Sequence, residues 1–205
     1  MKISLTDAGK RFNREWIFRH LNYTFEEGQS YAITGPNGSG KSTLLQVLSG
    51  SIMLSEGNIQ YSMLSAQYSI ENIYQQVSIG APYLEVVEEM TLKEFLDFHH
   101  GFKPFLNGIT TDKIISILGL EKAVNKQIRY YSSGMKQRAK LAQCVFSDTQ
   151  IVLLDEPGTN LDAAGIELYN ELINEYCKNR LVVVSSNDEV EYRFCKEKII
   201  ISDYK

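Results

Sequence analysis

Apolar and polar residues alternate along the first part of the chain, at Ile3 and Leu5, then Trp16 and Phe18, then Leu21, Tyr23 and Phe25. A period of two puts one face of a strand on a core, so this region predicts antiparallel strands. Glu26-Glu27-Gly28-Gln29 reads as a turn and Tyr31–Thr34 as a short buried strand. The apolar spacing of Leu44, Leu45 and Leu48 predicts a helix over Lys41–Leu48, and β-type patches follow at Ile59–Leu64 and Val77–Ile79. The period then changes. Thr91 is placed to cap a helix carrying Leu92, Phe95, Leu96 and His99, and a second helix runs from Asp112 through Ile114, Ile115 and Leu118 to a stop at Gly119. Met135–Phe146 is helical by spacing. Ile151–Leu154 and Leu181–Val184 are short all-apolar runs that suit strands buried on both faces, with a helical segment at Gly165–Tyr176 between them. Strands alternating with helices in this way predict an α/β chain with a parallel, helix-covered sheet.

Composition narrows the class. With 205 residues, 43% of them apolar and 22% charged, the chain suits one compact soluble domain. Lys+Arg 21 against Asp+Glu 25 leaves a net charge of −4, so no whole-chain basic footprint for nucleic acid is present and no nucleic-acid partner is expected. No run approaches the ~18 apolar residues that cross a bilayer, which excludes a channel or a complete membrane transporter in this chain. The start, Met1 to Asp7, has no apolar core of a secretory signal. Cys144, Cys177 and Cys195 are odd in number and lack metal-ligand spacing, as expected of a reduced cytosolic chain with buried thiols.

Candidate chemistry begins at Gly35-Pro36-Asn37-Gly38-Ser39-Gly40-Lys41-Ser42, which satisfies G-x-x-x-x-G-K-S/T between a predicted strand and a predicted helix. Glycines let the backbone wrap phosphates with N–H groups inward, and the helix start adds partial positive charge. Lys41 brings a point charge to the β- and γ-phosphates and the Ser42 hydroxyl a ligand for Mg²⁺. Ile151-Val152-Leu153-Leu154-Asp155-Glu156 is an apolar strand ending in two carboxylates: Asp155 would orient the Mg²⁺ shell, and Glu156 could act as general base on a water.

These segments, with Tyr131-Ser132-Ser133-Gly134-Met135-Lys136-Gln137-Arg138, resemble the nucleotide-binding subunit of ATP-binding cassette (ABC) proteins over essentially the whole chain. The run looks like the family's signature, Leu-Ser-Gly-Gly-Gln, with Ser132 and Gly134 kept and Tyr131, Ser133 and Met135 departing. Gly158-Thr159-Asn160-Leu161-Asp162 is similar to the family's D-loop. The resemblance implies a P-loop NTPase fold with an N-terminal antiparallel β subdomain, a parallel-sheet core and a helical subdomain over about residues 81–145, all within one ABC domain spanning 1–205. It implies ATP and Mg²⁺ as cofactors, with ATP held by Gly35, Asn37, Gly38, Ser39, Gly40, Lys41, Ser42 and Thr43, by Ser132 and Gly134 of a partner cassette, and by an aromatic on adenine for which Phe12 fits the position and Trp16 is second. Metal contacts fall to Ser42 and Asp155, and catalysis to Glu156, Lys41 and Asn187.

Two positions depart from the family. Its Gln after the strand near Val77–Ile79 is replaced by the run Gly80-Ala81-Pro82-Tyr83, Gln75 and Gln76 lying at or before that strand's start; its switch His is replaced by Asn187. An amide can donate a hydrogen bond but carries no charge. The resemblance therefore implies a slow ATPase at the inner face of the cell membrane, pairing with a second cassette and driving a separate transmembrane subunit that docks near Pro82–Leu84, Val86 and Val87. The alternatives are a weakly hydrolytic regulatory cassette and a soluble ABC ATPase with no transport role.

Overall fold

The amino-terminal alternation closes into a hairpin. In the computed structural model, which describes residues 1–63, 66–68 and 72–205, strand β1 (Lys2–Phe12) pairs antiparallel with β2 (Glu15–Glu26), Ile3 opposite Phe25 and Leu5 opposite Tyr23. Ile3, Leu5, Phe18, Leu21 and Phe25 are all buried. The buried phase of β2 switches from even to odd numbers between Phe18 and Leu21, and the pairing register shifts nearby, with Asp7 and His20 at positive φ (47° and 53°). A bulge is the reason a strict alternation fails there.

The chain continues through β3 (Ser30–Thr34), helix α1 (Lys41–Leu48), β4 (Glu56–Met63), β5 (Ala66–Tyr68), a 3₁₀ turn (Ile73–Gln76) and β6 (Val77–Gly80). Of the expected patch Ile59–Leu64, Leu64 lies outside the described residues. The helices α2 (Leu92–Phe102), α3 (Thr111–Ile117) and α4 (Ser133–Val145) follow, then β7 (Ile151–Asp155), α5 (Ala163–Tyr176), β8 (Leu181–Ser185), α6 (Glu189–Tyr192) and β9 (Glu197–Ile200). Helix starts are decided by caps. Thr91 forms a capping box with Glu94, and Thr110, Ser132 and Asp162 each accept a backbone N–H from the first turn of their helices. The last two caps start α4 and α5 two residues before the apolar spacing alone indicates.

Two compact units emerge. The first comprises Met1–Ile79, Thr149–Glu156 and Asn179–Lys205; the second comprises Gly80–Asp148 and Pro157–Lys178, so α5 belongs with α2, α3 and α4. The first unit holds a four-stranded sheet in the order β2-β1-β4-β5, antiparallel throughout, and a five-stranded sheet in the order β6-β7-β8-β3-β9 in which β7–β8, β8–β3 and β3–β9 run parallel. Every residue of β7 and β8 is buried, as a parallel sheet requires. The core of this unit joins Ile3, Leu5 and Phe25 to Leu44, Leu45 and Leu48 of α1 and to Ile151, Leu153, Leu181 and Val183. Strand β9 and α6 carry too little periodicity to be read from the sequence; Ile199 is buried but its neighbours Lys198 and Ile200 are exposed. Cys144 and Cys177 are buried, whereas Cys195 is only half-buried, and burial pushes its thiol up to about 12.

Candidate functional site

In the first unit, β3 runs straight into the glycine-rich loop, and α1 begins at Lys41. Gly40, with φ 108°, is the residue before the helix, and a Cβ there would lie 2.2 Å from Ile17 Cγ2, so only glycine lets β2 approach the loop this closely. Gly38, with φ 75°, faces open space. Lys41 is 5% exposed, and its ammonium donates to Gly35 O (2.8 Å) and Pro36 O (3.4 Å), curling back over the loop it follows. Ser39 is buried and its Oγ has no hydrogen-bond partner among the described residues. Ser42 and Thr43 occupy the first turn of α1, half-buried.

The carboxylates stand at the end of β7. Asp155 is 3% exposed and its Oδ1 has no partner among the described residues. A buried, unpaired carboxylate oxygen is costly, and a hard divalent cation is the kind of group that offsets such a cost. Asp155 Oδ1 and the Ser42 hydroxyl are both oxygen groups, the chemistry that Mg²⁺ takes directly or through the waters it keeps. Glu156 is exposed and has φ 43°, a left-handed conformation uncommon for a residue with a side chain; its N–H donates to Ser185 O at 2.9 Å. Asn187, following β8, accepts from Gly35 N–H (3.3 Å) and donates through Nδ2 to Asn37 Oδ1 (3.1 Å). Lys41, Asn37 and Asn187 are thus brought together around Gly35.

Phe12 lies at the tip of the β1–β2 hairpin, 48% exposed, with Lys10 Nζ 5.1 Å from its ring. Trp16 is already covered by two guanidiniums, Arg19 at 4.2 Å and Arg11 at 5.4 Å, and Arg19 is anchored on Glu56. Of the two aromatics, Phe12 keeps the freer surface.

The second unit carries the other motif. Ser132 caps α4 by accepting from Met135 N–H (3.3 Å), and Gly134 lies where a Cβ would sit 3.1 Å from Asn160 O. Both line a cavity of about 430 Å³ with Lys122, Arg138 and Asp162. Gln137 is buried and donates to Pro157 O (2.8 Å), while Asp162 caps α5 through Gly165 N–H (2.8 Å) and lies 3.6 Å from Arg138. A second hollow, about 400 Å³, is lined by Glu85, Glu88, Lys136 and Lys140. Beside Pro82, the residues Tyr83, Leu84 and Val87 are exposed and Val86 is buried. Gln75 and Gln76 belong to the turn ahead of β6, so no glutamine stands at the end of that strand, where Ala81 is buried.

The sequence matches the family model described as ABC transporter over residues 18–159. The chain belongs to the ABC transporter family of ATP-binding cassettes. The uncharacterized ABC transporter ATP-binding protein YhcH of Bacillus subtilis is 31% identical over 97% of this chain, which spans 66% of that relative's length. Among solved structures, a putative ABC transporter ATP-binding protein from Pyrococcus furiosus superposes with a TM-score of 0.82, 22% identity and full coverage of both chains. The dimeric structure of MJ0796, a bacterial ABC transporter cassette, gives 0.80 and 20% identity, covering 98% of this chain and 95% of that one. The ABC cassette fold expected from the motifs is therefore the fold this chain has.

Two features of the cassette escaped the sequence. Ile17 reads as one more strand residue, and its packing on Gly40 needs the sheet to be assembled. Ser185 reads as the end of an apolar run, yet its buried Oγ has no partner among the described residues. Among those residues no helix is long and apolar enough to cross a membrane, and no group of three His, Cys, Asp or Glu side chains is placed to hold a metal.

Proposed function

We propose that this cassette is the ATP-hydrolysing subunit of an ABC transporter, pairing with a second cassette around ATP and driving a separate membrane-spanning subunit. The arrangement of Lys41, Asn37 and Asn187 around Gly35, with an unpartnered Asp155 Oδ1 at the carboxyl end of β7, carries the reading. The backbone N–H groups of the loop and the start of α1 receive the phosphates, and Lys41 exchanges its carbonyl partners for phosphate oxygens. Ser42 and Asp155 would hold Mg²⁺, which supplies charge neutralisation at the β- and γ-phosphates when bound with ATP. Glu156, exposed at the strand end, orients and deprotonates the attacking water. Phe12 stacks on adenine. Ser132 and Gly134, at the start of α4, serve the γ-phosphate of the partner cassette, and the dimeric relative supports this pairing.

Hydrolysis is slow in this reading. Asn187 cannot supply the positive charge of a switch histidine, and Ala81 and Pro82 cannot hold water as a glutamine would; losing one charge-assisted contact to a transferring phosphate costs about a hundredfold in rate. The exposed apolar edge of Tyr83, Leu84 and Val87 beside Pro82 supports docking on a membrane subunit, and in this reading the cassette works at the inner face of the membrane. The test is steady-state phosphate release with Mg²⁺-ATP, together with co-purification from solubilised membranes. Background-level release from the wild type with its membrane partner supplied, matched by Glu156→Gln, would reject the ATPase role; capture of no membrane protein would reject the transport role.

A further inference from the structure

Two buried oxygens lie side by side at the carboxyl ends of β7 and β8. Asp155 and Ser185 are register partners on these parallel strands, at 3% and 0% exposure, and neither Asp155 Oδ1 nor Ser185 Oγ has a hydrogen-bond partner among the described residues. Their direction follows from the strands. Alternate residues share a face, and Ile151 and Leu153 of β7, with Leu181 and Val183 of β8, join the same core as Leu44, Leu45 and Leu48 of α1. Asp155 and Ser185 are the next positions on that face. On its other side Ser185 is register partner to Ile33, two residues before Gly35 opens the phosphate loop. The Ser185 hydroxyl therefore belongs to the same layer as Asp155, toward the end of the sheet from which the loop and α1 arise.

A valine would continue the apolar pattern of Leu181–Val184 without burying an unpaired hydroxyl, and such hydroxyls are rare because burying one is costly. Mg²⁺ keeps several of its waters when bound, and those waters donate hydrogen bonds to acceptors around them. Resting on the nucleotide-binding reading above, we propose that Ser185 is a positioning residue for the divalent cation: its hydroxyl and Asp155 Oδ1 together accept from the cation's hydration shell. Outer-shell partners of this kind are worth about tenfold or more in metal affinity.

The experiment measures the affinity of the full chain for a fluorescent ATP analogue in Mg²⁺ and again in EDTA, for wild type, Ser185→Ala and Ser186→Ala. Ser186, the buried residue just past the end of β8, has its hydroxyl engaged, accepting from Asp188 N–H (2.9 Å). The expected result is that Ser185→Ala reduces the Mg²⁺-to-EDTA affinity ratio by about tenfold, leaving affinity in EDTA unchanged, whereas Ser186→Ala keeps the wild-type ratio. A wild-type ratio in Ser185→Ala, or an equal loss in both buffers, overturns the inference and leaves the ATPase reading standing. A wild type that binds equally in Mg²⁺ and EDTA likewise overturns the inference alone, whereas a wild type that binds the analogue in neither buffer overturns the nucleotide-binding reading as well.

Discussion

Asn187 ties the end of β8 to the phosphate loop, donating to Asn37 Oδ1 at 3.1 Å and accepting from Gly35 N–H at 3.3 Å. With Lys41 donating to the Gly35 carbonyl at 2.8 Å, both polar groups of the Gly35 backbone are engaged by side chains of this chain. An exposed neutral hydrogen bond is worth about 1 kcal/mol, so Asn187→Ala should weaken ADP and ATP binding alike by about fivefold. A residue acting only on the γ-phosphate would leave ADP affinity unchanged. Asn187→His should raise turnover, because the imidazolium adds the charge the amide lacks, while loop affinity falls. Fluorescence titration and phosphate release on the same variants separate these effects.

The conformation of Glu156 predicts a trade between stability and turnover. A φ of 43° costs a non-glycine residue on the order of 1 kcal/mol. Glu156→Gly should therefore gain up to about 1 kcal/mol of unfolding free energy in urea titrations, offset in part by the added freedom of the unfolded chain, and lose phosphate release. Glu156→Gln keeps the backbone strain, so its stability should match wild type while hydrolysis falls to background and ATP-dependent dimers accumulate on size exclusion.

The phosphate loop, the acidic strand end and α1 were legible because their chemistry depends on neighbours in sequence: a turn that only glycine enters, a cap, a continuous apolar run. What escaped depends on which strands lie side by side. Ser185 becomes notable only through its register with Asp155, and Ile17 only because β2 meets Gly40. The bulge at Asp7 and His20 likewise reverses which residues of β2 are buried, which a fixed period of two cannot express. Helix starts at Ser133 and Ala163 were set by side-chain caps rather than by apolar spacing.

His99, half-buried in the second unit, makes stability fall in acid. Its Nδ1 accepts from Gln143 Nε2 (3.1 Å), and its Nε2 pairs with Ser147 Oγ (2.8 Å), whose own hydrogen goes to Gln143 O (2.7 Å). This network is satisfied by the neutral ring. Burial, with Lys103 and His100 adding positive charge, pushes His99 down to about 4 from its ordinary 6.5. The folded state thus binds a proton less readily than the unfolded chain, so the contribution is complete above about pH 6.5 and is lost as pH falls toward 4. Urea midpoints measured between pH 7.5 and 4.5 should fall, and His99→Gln should flatten that slope without altering nucleotide affinity at pH 7.5.

Arg180 offers the opposite test, a buried charge remote from phosphate chemistry. It is 7% exposed and precedes β8, donating to Thr149 O (2.6 Å), Thr149 Oγ1 (2.5 Å) and Ser78 Oγ (3.3 Å). These partners lie at the amino-terminal ends of β6, β7 and β8, whereas Asp155, Ser185 and Asn187 lie at or beyond the carboxyl ends of β7 and β8. Arg180→Ala leaves the Thr149 carbonyl and two hydroxyls without their charged donor, a loss of about 3 kcal/mol. Nucleotide affinity in the folded fraction should stay at the wild-type value, because the strands' far ends keep their own hydrogen bonds. A variant that instead lost affinity with little loss of stability would mean that the register of β7 and β8 is transmitted along the strands to the phosphate loop.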